Sequence, residues 1–140
     1  MIDCLILGDS IAVGLAQHMK GCQVVAKGGI SSPMFNVTYR YTDLEMAKVA
    51  VISLGTNDSK RNRTKYELVE MRKRVIAEKV FWIEPIYSHP SIGHGAVELQ
   101  GIVAEVAALF GDGVVAITNS TDAVHPNVNG YKAIVERVSK

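Results

Sequence analysis

The run Ala47-Lys48-Val49-Ala50-Val51-Ile52-Ser53-Leu54 constrains the fold more than any other stretch of the chain. Its apolar residues are nearly continuous, its length is that of a strand, and it stops abruptly at Gly55-Thr56-Asn57-Asp58. A strand with one wet face alternates apolar and polar residues. A near-continuous run needs cover on both faces, which marks a central strand of a parallel sheet. Parallel neighbours must be joined by crossovers, usually helical, and the rest of the chain supplies them.

The amino terminus reads strand, turn, helix. Leu5-Ile6-Leu7 ends at Gly8-Asp9-Ser10, after which Ile11, Leu15 and Met19 recur at helical spacing and Gly21 is placed to end the helix. Cys22–Ala26 is a short β-rich run closing in the loop Lys27-Gly28-Gly29-Ile30-Ser31-Ser32-Pro33. Met34 to Leu44 has no clean period and reads as loop with at most a short helix. Ser59 to Lys79 is charged and imperfectly amphipathic, and Lys79–Pro85 is a fourth strand. The loop Tyr87–Gly95 precedes a helix over Ala96–Phe110, which Gly111 can terminate. Gly113–Ile117 is a fifth strand, Thr118 to Asn129 a loop, and Gly130 to Val138 the last helix. Strands alternating with helices predict an α/β chain with a parallel sheet and right-handed crossovers. Ligands bind such sheets outside the carboxyl ends of the strands. Every unusual loop here falls at such an end, so all of them are expected on one rim.

At 140 residues the chain is expected to form one domain, residues 1–140, with a sizeable core. Fifteen basic against fourteen acidic side chains leave a net charge of +1, so no overall field recruits nucleic acid or an anionic membrane. No apolar run is long enough to span a bilayer, and Asp3 with the break at Gly8-Asp9 argues against a secretory leader. Cys4 and Cys22 are too few for a disulfide framework and read as buried free thiols. The expected setting is therefore cytoplasmic, or within a larger assembly.

Four of the rim loops carry residues suited to acyl transfer. Ser10 sits between a strand end and a helix start, where unpaired N–H groups and the helix dipole favour negative charge. It is also an ordinary capping position, for which Asp9 or Ser10 would serve. Serine is a weak nucleophile that needs a base, and the base needs an orienting acceptor. Asp122-Ala123-Val124-His125-Pro126 offers both: three residues of separation let the carboxylate return to Nδ1 and leave Nε2 for Ser10. Pro126 disfavours helical geometry at His125 and can itself occupy the first turn of the last helix. The Ser10 N–H, a second-loop glycine and the Asn57 amide can converge on an oxyanion.

Gly8-Asp9-Ser10, Gly29, Gly55-Thr56-Asn57-Asp58 and Asp122-x-x-His125-Pro126, in this order, resemble the four signature blocks of the SGNH hydrolases, also called the GDSL esterase/lipase family. The resemblance implies a flavodoxin-like three-layer α/β/α sandwich with five parallel strands. It further implies a nucleophilic Ser10, a His125 base, an Asp122 orienter, and an oxyanion hole of Ser10 N–H, Gly29 N–H and Asn57. No metal or cofactor is implied, and the substrates are esters or thioesters of small acyl groups, lipids or acylated sugars. The second block departs from the usual pattern, so Ser31 or Ser32 N–H is an alternative to Gly29. The short chain leaves little room for a deep pocket, which suggests an open site taking short acyl groups, acetyl above all, on a larger molecule such as a polysaccharide. The same shortness also fits a catalytically idle module that recognises an acylated glycan or a protein. No phosphate-binding glycine motif supports a nucleotide domain.

Asp9, Asp58, Arg61, His89 and His94 remain as candidate substrate contacts on the rim. His89 and His94 lack a third partner for a metal. The basic residues from Lys60 to Arg74 are interspersed with Glu67 and Glu70, as on a solvated helix face. His18 reads as helix surface and Trp82 as core.

Overall fold

A computed structural model describes residues 1–140. Five strands, β1 (Ile2–Gly8), β2 (Cys22–Ala26), β3 (Ala47–Ser53), β4 (Ala77–Ile83) and β5 (Gly113–Val115), alternate with helices α1 (Ser10–Ala16), α2 (Ser32–Thr38), α3 (Thr64–Arg72), α4 (Ala96–Phe110) and α5 (Val128–Val138). All four strand pairings are parallel, in the spatial order β2-β1-β3-β4-β5. The central position of β3 accounts for its apolar run: Ala50, Val51 and Ile52 are all buried.

Side-chain alternation divides the core in two. Leu5, Leu7, Ala50, Ile52, Val80 and Trp82 face Phe35 of α2, Leu68 and Met71 of α3, and Leu99, Val103 and Val106 of α4. Ile6, Val51, Phe81 and Ile83 face the other way, onto Ile11, Ala12 and Leu15 of α1 and Tyr131, Ile134 and Val138 of α5. A helical layer thus covers each face, giving the three layers expected. Because α1 and α5 share a face, the loop entering α5 arrives beside the start of α1.

The helix α4 has the predicted bounds and ends at Gly111, whose left-handed φ of 70° a side chain would strain. Other boundaries move. The helix α1 stops at Ala16 with Gln17 as its cap, so Gly21 serves the turn into β2 instead. The short helix allowed for after the second loop is α2, which begins earlier than Met34, capped by Ser31 and opened by Pro33. The charged segment is helical only over Thr64–Arg72, β4 runs from Ala77 to Ile83 rather than Lys79 to Pro85, and β5 ends at Val115. Asn127 caps α5 through Gly130 N–H at 2.9 Å, which leaves Pro126 outside the helix.

The cysteines are not free. Cys4 and Cys22 are direct partners in the β1–β2 register and form a disulfide, their Cα atoms 4.4 Å apart. Register is a long-range property, which is why spacing along the chain did not reveal the pair. Disulfides persist in oxidising surroundings, so the expected cytoplasmic setting loses the support that free thiols would give it. No helix is long and apolar enough to cross a membrane.

Candidate active site

Strand ends build the site. The β1–β3 ladder runs to Gly8 opposite Ser53 and continues with Asp9 N–H donating to Ser53 carbonyl at 2.9 Å. Gly8 permits this approach: a Cβ there would lie 1.7 Å from the Ser53 carbonyl oxygen. The chain then turns into α1, and the cap is Asp9, whose carboxylate accepts from Ile11 N–H at 3.1 Å. Ser10 is thereby released from capping. Its Oγ lies 2.7 Å from His125 Nε2.

His125 is held from the loop between β5 and α5. The base of this loop is closed by Asn127 N–H to Asn119 carbonyl at 2.9 Å and by a bridge between Ser120 and Pro126. Within it, one Asp122 carboxylate oxygen accepts Val124 N–H at 2.9 Å and His125 N–H at 2.7 Å, while the other meets His125 Nδ1 at 2.8 Å. These bonds, the two backbone ones first, hold the Asp122 carboxyl well below its ordinary range. The turn requires Ala123 at a φ of 62°, the single non-glycine residue in the left-handed region. Such strain in a non-glycine residue is found mainly where a function requires the geometry.

With Asp122 on Nδ1, the imidazole carries its proton there and turns an Nε2 lone pair to Ser10. That is the arrangement of a general base on a hydroxyl nucleophile.

The remaining rim residues surround Ser10 from β2 and β3. Lys27 N–H donates to Gly8 carbonyl at 3.0 Å, carrying the Gly28–Ser32 loop alongside Ser10. The N–H groups of Ser10, Gly28 and Gly29 have no acceptor within the protein. Of the two glycines, Gly28 borders Ser10, since a Cβ on it would sit 3.8 Å from Ser10 Cβ. Asn57 is exposed and donates from Nδ2 to Ile30 carbonyl at 3.2 Å, which ties the β3 loop to the β2 loop and leaves its second N–H free. Ser32 N–H is taken by Asp58 at 2.6 Å, so Ser32 is withdrawn as an alternative to Gly29.

Two predicted rim contacts lie inside the protein instead. Asp9 is 1% exposed, with one oxygen bonded to Ser53 Oγ at 3.0 Å and Ile11 N–H and the other without a partner; burial pushes its carboxyl up to about 6. Asp58 is 3% exposed and accepts from Ser32 N–H, Ser32 Oγ and Thr64 Oγ1. His94 turns away from the rim to Thr64, its Nε2 2.8 Å from Oγ1. Arg61 and His89 are exposed. His89 Nδ1 accepts from Ser91 and Ile92 N–H, and with Tyr87, Ile92 and Asn57 it lines a hollow of about 220 Å³. A second hollow, of about 350 Å³, lies across Asn57 between Lys27, Gly29, Met34 and Thr38. Thr64 gave no signal in the sequence beyond opening a helix.

No family model matches the chain, and no curated protein matches it. Solved structures do. A member of the lipolytic G-D-S-L family from Veillonella parvula has a TM-score of 0.62 at 16% identity, over 96% of this chain and 94% of its own. A protein from Lactobacillus plantarum gives 0.62 at 16% identity, over 98% and 94%. AlinE4, an SGNH-hydrolase family esterase, gives 0.58 at 17% identity, over 97% and 92%. At these identities the likeness is one of fold: the chain has the three-layer α/β/α fold of the SGNH hydrolases, as the sequence blocks implied.

Proposed function

We propose that the chain is a serine ester hydrolase of the SGNH type, cleaving short acyl esters, acetyl above all, carried on a larger molecule such as a carbohydrate. The supporting observation is the unbroken line Ser10 Oγ, His125 Nε2, His125 Nδ1, Asp122, with contacts of 2.7 and 2.8 Å. The likeness to an esterase of the same fold agrees with it.

In this reading His125 Nε2 takes the Ser10 proton as Oγ bonds to the ester carbonyl carbon. The carbonyl π electrons move onto its oxygen, which receives N–H groups from Ser10, the Gly28-Gly29 turn and Asn57. Collapse of the tetrahedral species breaks the bond to the alcohol oxygen, and His125 returns the proton to that oxygen. Water then repeats the sequence on the acyl-Ser10 ester, with His125 as base, and releases the carboxylic acid and free Ser10. Asp122 stays a carboxylate throughout and stabilises the imidazolium. The shallow hollows on either side of Asn57 suit a short acyl group better than a long chain.

The test is incubation with a fluorophosphonate read by intact mass, with hydrolysis of p-nitrophenyl acetate and longer esters by wild type and Ser10→Ala. One adduct on Ser10, with acetate turnover lost in the variant, is expected. A folded protein that neither labels nor hydrolyses would point to the idle binding module, and a preference for long chains would refute the short-acyl substrate.

A further inference from the structure

The structure assigns His94 a positioning role: through Thr64 and Asp58 it holds the Gly28–Ser32 loop at the distance from Asn57 that an oxyanion requires. The inference rests on the ester hydrolase reading, since it concerns the same oxyanion donors.

The direction of each hydrogen bond follows from proton counting. A carboxylate only accepts. Asp58 accepts Ser32 N–H on one oxygen, and on the other the hydroxyls of Ser32 and Thr64, the latter at 2.6 Å. Thr64 has one hydroxyl proton, and Asp58 takes it. The contact between Thr64 Oγ1 and His94 Nε2 at 2.8 Å must then run from histidine to threonine, so Nε2 carries a proton. Its Nδ1 faces Glu98 in the first turn of α4 at 3.9 Å, and its backbone N–H donates to the buried Ser88 Oγ at 3.1 Å. The imidazole is 8% exposed, too enclosed to serve as a substrate contact.

The chain His94 to Thr64 to Asp58 thus ends on Ser32 and spans three loops. Its target is the loop carrying the free Gly28 and Gly29 N–H groups. Asn57 grips Ile30 from one side while its neighbour Asp58 grips Ser32 from the other. The helix α3 sacrifices something to this arrangement: it begins without a side-chain cap, and its first hydroxyl, Thr64, is spent on Asp58. Aligned hydrogen bonds in a buried chain strengthen one another. Withdrawing the His94 donor weakens the hold on Ser32 without touching Ser10, His125 or Asp122.

The experiment compares wild type, His94→Phe, His94→Gln and Thr64→Val. Glutamine can present an amide N–H to Thr64, whereas phenylalanine cannot. With p-nitrophenyl acetate, His94→Phe is expected to lose about tenfold in kcat, a fraction of the 10²–10³ that follows removal of a donor outright. KM should stay within about twofold, since the interaction is strongest in the transition state. His94→Gln should recover most of the loss. Thr64→Val, of similar volume, should match His94→Phe, and the double variant should be no worse than either, as for residues acting in series. Amide exchange at Ser32 should speed up in His94→Phe and Thr64→Val but not in His94→Gln.

Unchanged kcat in both His94→Phe and Thr64→Val, a His94→Gln as impaired as His94→Phe, or unchanged Ser32 exchange would each overturn the inference. If the wild type neither hydrolyses esters nor labels at Ser10, the hydrolase reading fails instead, and Ser32 exchange still decides whether His94 holds the loop.

Discussion

Replacing Asp9 by asparagine is expected to make the protein more stable at neutral pH and less so, relative to wild type, in acid. Asp9 is fully buried, with one oxygen serving Ile11 and Ser53 and the other facing no donor. Burial raises its carboxyl from 3.8 to about 6. A carboxyl that holds its proton more tightly in the fold than in the unfolded chain destabilises the fold when ionised. The cost is complete above pH 6 and is relieved as the pH falls from 6 towards 3.8. At 1.36 kcal/mol for each tenfold change in proton affinity, the full cost is about 3 kcal/mol. Asparagine keeps the capping acceptor but buries an amide without a partner, a penalty of about 1–3 kcal/mol that does not vary with pH. Comparing the variant's advantage at pH 8 with that at pH 4 cancels the constant penalty and leaves about 2–3 kcal/mol. Asp122 does not intrude: its carboxyl is depressed, so its stabilising contribution is present above pH 3.8 and lost only below. The assay is urea unfolding followed by the fluorescence of Trp82, the single tryptophan and 1% exposed. The variant's midpoint advantage should shrink by about 1–2 M between pH 8 and pH 4. A gap independent of pH would refute the argument that an ionised carboxylate is buried at the start of α1.

Asn57→Ala should lower kcat for p-nitrophenyl acetate by about 10²–10³, with an unchanged circular dichroism spectrum because the side chain is exposed. Reduction of the Cys4–Cys22 disulfide, or Cys22→Ser, should cost about 3 kcal/mol for a loop of this length, where the cysteines are 18 residues apart; thermal unfolding with and without reductant measures it. Ala123→Gly should remove about 1–2 kcal/mol of left-handed strain and return about half of it as unfolded-chain entropy, giving a slightly higher melting temperature. Its kcat should fall as the hold on His125 slackens, and an unchanged or raised kcat would count against strain serving the site.

What the sequence disclosed and what it hid divide along a physical line. Ala47–Leu54 and Ala96–Phe110 were legible because burial writes its period directly into neighbouring residues. The order of the blocks at Ser10, Asn57 and His125 was legible because strand ends in a parallel sheet share one edge. The start of β4 at Ala77 was not, since it depends on pairing with Ala47 thirty residues earlier. The cysteine pair was hidden for the same reason. The start of α2 is legible in Ser31 and Pro33, as cap and first-turn proline. Asp9, Asp58 and His94 adjoin rim residues in the sequence, yet their side chains are enclosed. Neighbours at a tight turn point in opposite directions, and these three point inward, where they support the residues beside them.

The two halves of the site differ in stiffness. Ser10 and Asn57 follow adjacent strands, so their separation is gauged by the interstrand spacing of about 4.8 Å and is as hard to change as the sheet itself. The hydrogen bonds from Asp9 to Ser53 and from Lys27 to Gly8 carry that rigidity past the strand ends. His125 stands instead on a loop beyond the short edge strand β5, clasped at its base by Asn119 and Asn127. Where buried contacts are few, a structure opens first. Local opening is therefore expected first in residues 119–127, ahead of the turns that follow β1 and β3. In the proposed hydrolase, substitutions within residues 119–127 would tune the base, while Ser10 stays tied to the sheet and the Gly28-Gly29 turn depends on the Asp58 hydrogen bonds to Ser32.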